Sequence, residues 1–187
     1  MTARGGLPVR FTRGESRRYR SVMLRGDGVE VELEGGSYDR VGGPAGEVPH
    51  DLAHLIVEDE FGLTDGVWGV LAAGGMFGGA RVVAGRRPPH ATRRGRETVV
   101  ASRERVMQAE VLTRAVCDAC AGDLPADPVA IRRALGKRWW SEAVTAAALE
   151  RCRGRLHEAG ARWAALEPGE ALEVTWPHAT RPGRRRA

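Results

Sequence analysis

The chain has 187 residues, 42% of them hydrophobic and 28% charged, and a formal net charge of +5. That length predicts one domain, and the composition is that of an ordinary globular protein. No apolar run reaches the roughly 18 residues of a membrane span, the Arg-rich start has no secretory apolar stretch, and three cysteines make a disulfide framework a poor fit, so the expectation is a cytoplasmic protein with no membrane partner.

Leu7, Val9 and Phe11 alternate with other residues, the period of a half-buried strand. Val22 and Leu24 alternate in the same way, Gly26-Asp27-Gly28 supplies a turn, and Val29, Val31 and Leu33 continue on the far side. This predicts a hairpin with one apolar face. Gly35-Gly36 should end it and open a Gly-rich loop through residue 47.

Pro49 suits the first turn of a helix running to about Phe61, with Gly62 placed to end it. Thr64 or Asp65 can cap a second helix over 67–77, whose small residues would admit a neighbouring backbone. Residues 78–96 read as a loop around Pro88-Pro89. The stretch 86–96 carries Arg86, Arg87, Arg93, Arg94 and Arg96 and no acid.

A long helix is predicted over 103–120. Val106, Ala109, Leu112, Val116 and Cys120 lie along one stripe of it, with Cys117 at the edge. Cys152 joins a second stripe on the last helix, so all three thiols read as core packing rather than redox chemistry. Asp127-Pro128 is a cap followed by a first-turn proline, with Gly136 closing that helix. Trp139-Trp140 follows Lys137 and Arg138, a cluster that either plugs the core at a helix junction or docks a partner. Ser141 is the expected cap of a last helix reaching about Leu166, stopped by Pro168-Gly169. Leu172, Val174 and Trp176 then alternate as a final strand, which needs a sheet to join. The tail 181–187 holds Arg181, Arg184, Arg185 and Arg186 without an acid.

These elements predict an α+β fold, in which the N-terminal hairpin strands and the C-terminal strand form a small antiparallel sheet packed on about five helices. Residues 1–180 would be one globular domain with a basic loop at 86–96, and residues 181–187 a basic flexible tail.

One constellation carries chemistry: His50-Asp51-Leu52-Ala53-His54. At about 100° per residue, His54 lies about 40° from His50, Glu58 about 80° and Asp51 about 100°. Four metal-capable side chains thus share one quadrant of the first helix. Histidines at i and i+4 can place both imidazoles on one ion, while Glu58 can supply a third ligand or orient a histidine. Asp51 can act as general base or as such an orienter. Val57 and Phe61 bracket His50, so this side of the helix is not a plain solvent face. Asp59, in the middle of the opposite apolar face, implies either that the helix ends sooner or that this acid has a partner. His157, His90 and His178 are free to add a further ligand.

The pentapeptide resembles the HExxH motif of zinc peptidases, with Asp51 in place of the glutamate. It also resembles the HDxxH helix of the ubiquinone-biosynthesis family. That family's glutamate twelve residues after the second histidine corresponds here to Gly66. The likeness spans about ten residues and assigns the chain to neither family.

Two histidines and a carboxylate suit Zn²⁺, Fe²⁺ or Mn²⁺, so the leading expectation is a divalent-metal protein, with a small-molecule substrate if it is an enzyme. The alternative is a binding module. The two basic arms, chiefly Arg86, Arg87, Arg93, Arg94, Arg96, Arg184, Arg185 and Arg186, would contact nucleic acid or an acidic protein.

Overall fold

Alternation of apolar and polar residues builds the sheet. A computed structural model describes residues 6–16, 18–37, 48–120, 126–139 and 141–178. Among them are the strands β1 (Leu7–Arg13), β2 (Arg18–Leu24), β3 (Glu30–Ser37), β4 (Ala80–Ala84) and β5 (Ala171–Trp176). They form one antiparallel sheet in the order β4-β3-β2-β1-β5. The C-terminal strand does join the N-terminal one, with Leu7 opposite Trp176 and Phe11 opposite Leu172. The helices are α1 (His50–Glu60), α2 (Val67–Ala72), α3 (Ala91–Ala101), α4 (Arg103–Cys120), α5 (Pro128–Leu135) and α6 (Ala146–Ala164). The fold is α+β, a small antiparallel sheet packed on helices, as the sequence predicts.

Several local expectations change. In β2 the inward residues are Tyr19, Ser21 and Met23, while Leu24 is exposed on the outer face. Met23 stands opposite both Val9 and Val31, so the inward neighbours on either side set its parity. β3 does not stop at Gly35-Gly36 but continues to Ser37. The expected loop over 78–96 contains β4 and the first half of α3. Val82 of β4 stands opposite Val31, and Arg81 donates to Glu32 at 2.6 Å. A short edge strand needs only such pairing, and Ala80-Arg81-Val82-Val83-Ala84 is too brief to show strong periodicity. α2 ends at Ala72 rather than residue 77, because Gly74 takes φ +97°. α6 is capped by Thr145, whose Oγ1 accepts from the Ala148 amide at 3.1 Å, and not by Ser141.

The small residues of α2 and α3 do admit backbone. A Cβ on Gly69 would stand 1.9 Å from the Thr64 carbonyl oxygen, and one on Gly95 would stand 2.6 Å from that of Gly74. α1 is the central helix: every residue from Leu52 to Glu58 is buried. It packs against α4 and α6, and α4 packs against α5. Aromatic contacts tie this layer to the sheet, Phe11 meeting Trp68 edge-on at 5.8 Å and Tyr19 meeting Trp163 at 6.5 Å. Asp59 has the partners it needs: Arg155 donates to it at 2.6 Å, and His178 Nε2 stands 3.0 Å away.

Candidate metal centre

Two turns of α1 place His50 above His54, with ring centroids 4.6 Å apart. His54 is buried and His50 half exposed. Where α4 crosses α1, it brings in Glu110, 56 residues after His54 in sequence. Glu110 Oε2 lies 3.3 Å from His54 Nε2 and 3.8 Å from His50 Nε2. One ligand atom from each of the three residues falls within 4.8 Å of the other two.

Glu58 is elsewhere. It is fully buried behind His54, its Oε1 accepting from Nδ1 at 3.1 Å. The same carboxylate accepts from the Val67 amide at 3.0 Å and the Trp68 amide at 3.1 Å. These are the first amides of α2, whose N-cap, Gly66, has no side chain to offer. A glutamate from α1 thus does the work of an N-cap for α2. Gly66 is required for this, since a Cβ there would lie 2.6 Å from Glu58 Oε2. The position where the ubiquinone-biosynthesis motif carries its glutamate is therefore already occupied by the Glu58 carboxylate.

That bond fixes the chemistry of His54. With Glu58 ionised, Nδ1 carries a hydrogen toward it, while Nε2 faces Glu110 and His50. Nε2 is buried and makes no hydrogen bond of proper geometry. It lies 3.3 Å from Glu110 Oε2, within ion-pair range of that carboxylate when the ring is protonated. Burial by itself would lower the pKa of His54. The Glu110 and Glu58 carboxylates more than reverse this and raise it to about 9. Burial pushes the Glu58 carboxyl up from its ordinary value, against the opposing pull of His54 and the Trp68 and Val67 amides. His54 holds Glu110 below the ordinary carboxylate range.

Asp51 is held at the other end of the site. Its Oδ2 accepts from Ser21 Oγ at 2.7 Å, and its Oδ1 lies 3.6 Å from His50 Nδ1. Its main chain is anchored as well, the carbonyl accepting from Trp68 Nε1 at 2.9 Å. Ser21, a polar residue on the inward face of β2, is explained by this bond.

The three-residue group opens onto a cleft of about 290 Å³ lined by Leu33, Val67, Phe77 and Val106 beside His50, Asp51, His54 and Glu110, with Gly78 and Gly79 at its edge. His157 is exposed on α6, His178 is engaged with Asp59, and His90 takes φ +60° before α3. None of the three belongs to the group. The residue that sequence reading missed is Glu110. It follows Ala109 on the buried stripe of α4, and an acid beside a buried stripe was the available signal.

The basic stretch is partly spent on itself. Arg94 donates to the Pro89 carbonyl at 2.7 Å, Arg93 lies 3.8 Å from Glu97, and Arg87 is half buried near Gly95. Arg86 and Arg96 are exposed. Arg184, Arg185 and Arg186 lie outside the described residues. Trp139 packs on the core, and its carbonyl accepts from Gln108 at 3.2 Å; Trp140 also lies outside the described residues. A larger concavity, about 600 Å³, lies across the outer face of the sheet. Its charges pair with one another, Arg10 with Glu173 at 2.9 Å and Arg81 with Glu32 at 2.6 Å, so it offers less convergent chemistry than the histidine cleft. No protein-family model, curated protein or solved structure matches this chain.

Proposed function

We propose that the chain binds one divalent metal ion through His50 Nε2, His54 Nε2 and Glu110 Oε2, and that the ion serves a small-molecule reaction in the adjoining cleft. The observation that carries this reading is a convergence of ligand atoms: buried His54 Nε2 stands 3.3 Å from Glu110 Oε2, and His50, His54 and Glu110 each offer one atom within 4.8 Å of the others. Without an ion, the proton on His54 balances the Glu110 carboxylate beside it, and a divalent cation would take that proton's place between the three groups. Glu58 then completes the carboxylate–histidine–metal arrangement, holding the tautomer that leaves Nε2 free to ligate. Asp51, bonded to Ser21, has its Oδ1 3.6 Å from His50 Nδ1, beyond hydrogen-bond distance, and would act on His50 by its charge rather than as a ligand.

Two nitrogens and one carboxylate oxygen suit Zn²⁺, Fe²⁺ or Mn²⁺. Three protein ligands beside an open cleft leave positions for water or substrate, the pattern of catalytic rather than closed structural sites. Such an ion can polarise a carbonyl or lower the pKa of bound water.

The test is elemental mass spectrometry of the purified, untagged protein beside a His50→Ala/His54→Ala double variant and a Glu110→Gln variant. The expected result is about one metal per chain in the parent, and its loss from variants whose circular dichroism is unchanged. Failure to take up Zn²⁺, Fe²⁺ or Mn²⁺ on loading overturns the reading and turns attention to the basic surface of α3.

A further inference from the structure

The cleft's own chemistry restricts what the metal would meet, and this step rests on the metal reading above. We infer that the ligand of this site is a compact, uncharged molecule with an apolar body and a single metal-binding nitrogen or oxygen, and that anions are disfavoured. The chain contains 28 arginines and one lysine, yet none of them is among the described residues lining the cleft. What lines it is apolar on one side, from Leu33, Val67, Phe77 and Val106, and acidic on the other, from Asp51 and Glu110.

Glu58 lies behind His54, so three carboxylates surround the position of a divalent ion. Asp51 and Glu110, which line the cleft, offset the ion's two positive charges and leave no excess positive charge to draw in an anion. An incoming carboxylate or phosphate would be desolvated beside those carboxylates, with no arginine fork among the described residues to receive it. An uncharged ligand pays no such cost, and its apolar body would be covered by the four aliphatic and aromatic residues. A cleft of about 290 Å³ is at the small end of ligand sites, which run from about 300 to 1,000 Å³.

Cobalt substitution makes this measurable. The full-length protein loaded with Co²⁺ is titrated at pH 8 with 4-phenylimidazole, which is uncharged, and with benzoate and inorganic phosphate, while the visible Co²⁺ bands are followed. The expected result is that 4-phenylimidazole shifts the bands at a concentration at least about tenfold below that needed for either anion. A Val106→Arg variant, which puts a cation on the half-buried rim of the cleft, should narrow that gap by about tenfold for benzoate. Absence of Co²⁺ uptake overturns the metal reading and this inference with it. Uptake followed by benzoate or phosphate binding as tightly as 4-phenylimidazole overturns this inference alone.

Discussion

Glu58 carries two loads with one carboxylate. Its Oε1 fixes the Nδ1 hydrogen of His54, and the same group satisfies two amides at the start of α2. Removing its charge should therefore weaken both metal binding and folding. In Glu58→Gln, the amide oxygen can still accept but the NH₂ group cannot, and the pull on His54 is lost. Zinc affinity, measured by competition with a chromophoric chelator, should fall about 10- to 100-fold. Thermal unfolding in chelator should show a loss of about 1–3 kcal/mol. An unchanged zinc affinity would show that Glu58 serves α2 alone. At this scale the sequence was half legible. His50 and His54 lie on one face of one helix and were visible from spacing, and so was Glu58, as a ligand or an orienter. The choice between those two roles depends on the amides of Val67 and Trp68, which helical periodicity within α1 does not locate.

Arg13 shows how an element is held by a residue far from it in sequence. From the end of β1, its guanidinium donates to the carbonyls of Trp163, Ala164 and Leu166 at 3.2, 3.1 and 2.5 Å. These carbonyls lie in and just after the last turn of α6, where a cation complements the helix dipole. Arg13→Ala should cost about 1–2 kcal/mol in urea unfolding with an unchanged slope, whereas Arg13→Lys should recover only part, because all three bonds come from Nη1 and a lysine ammonium falls about one bond short of that position. The elements with their own punctuation were the legible ones. α4 begins and ends at the predicted residues, and α5 is capped by Asp127, whose carboxylate accepts from the Val129 amide at 2.8 Å, and closed by Gly136 at φ +65°. β4 and the start of α3 lacked such marks. β4 exists because β3 offers it an edge, with Val82 opposite Val31 and Arg81 on Glu32.

Across the whole molecule, one continuous core joins the inner face of the sheet to α1, α2, α4, α5 and α6. Cys117, Cys120 and Cys152 belong to it, all buried and unpaired. Burial pushes the Cys117 thiol up to about 12, with Cys120 and Asp118 adding to the shift, and burial likewise raises Cys120 and Cys152. A thiol with a pKa near 12 is ionised at pH 8 to on the order of one part in ten thousand. Ellman's reagent at pH 8 should therefore label none of the three rapidly in the folded protein and all three in guanidinium chloride. Raising the pH from 7 to 9 should accelerate labelling only as far as the protein opens. Fast stoichiometric labelling of the native state would mean that the packing around α4 and α6 is open to solvent.

The amino-acid sequence by itself determined the α+β class, the antiparallel sheet closed by the last strand, the core placement of the cysteines and the pairing of His50 with His54. Each follows from a period of two or 3.6 residues, or from a cap within one turn, and such short-range geometry is present in the local order of residues. Tertiary structure alone decided that Glu110 stands beside the histidines, that Glu58 turns away to hold Nδ1 and the start of α2, and that Asp51 is engaged by Ser21. Those placements come from the packing of α1 against α4 and the start of α2, and from the approach of its first turn to Ser21 of β2. A crossing is selected by the burial of whole faces against one another, a sum over residues distant in the chain that no local pattern contains.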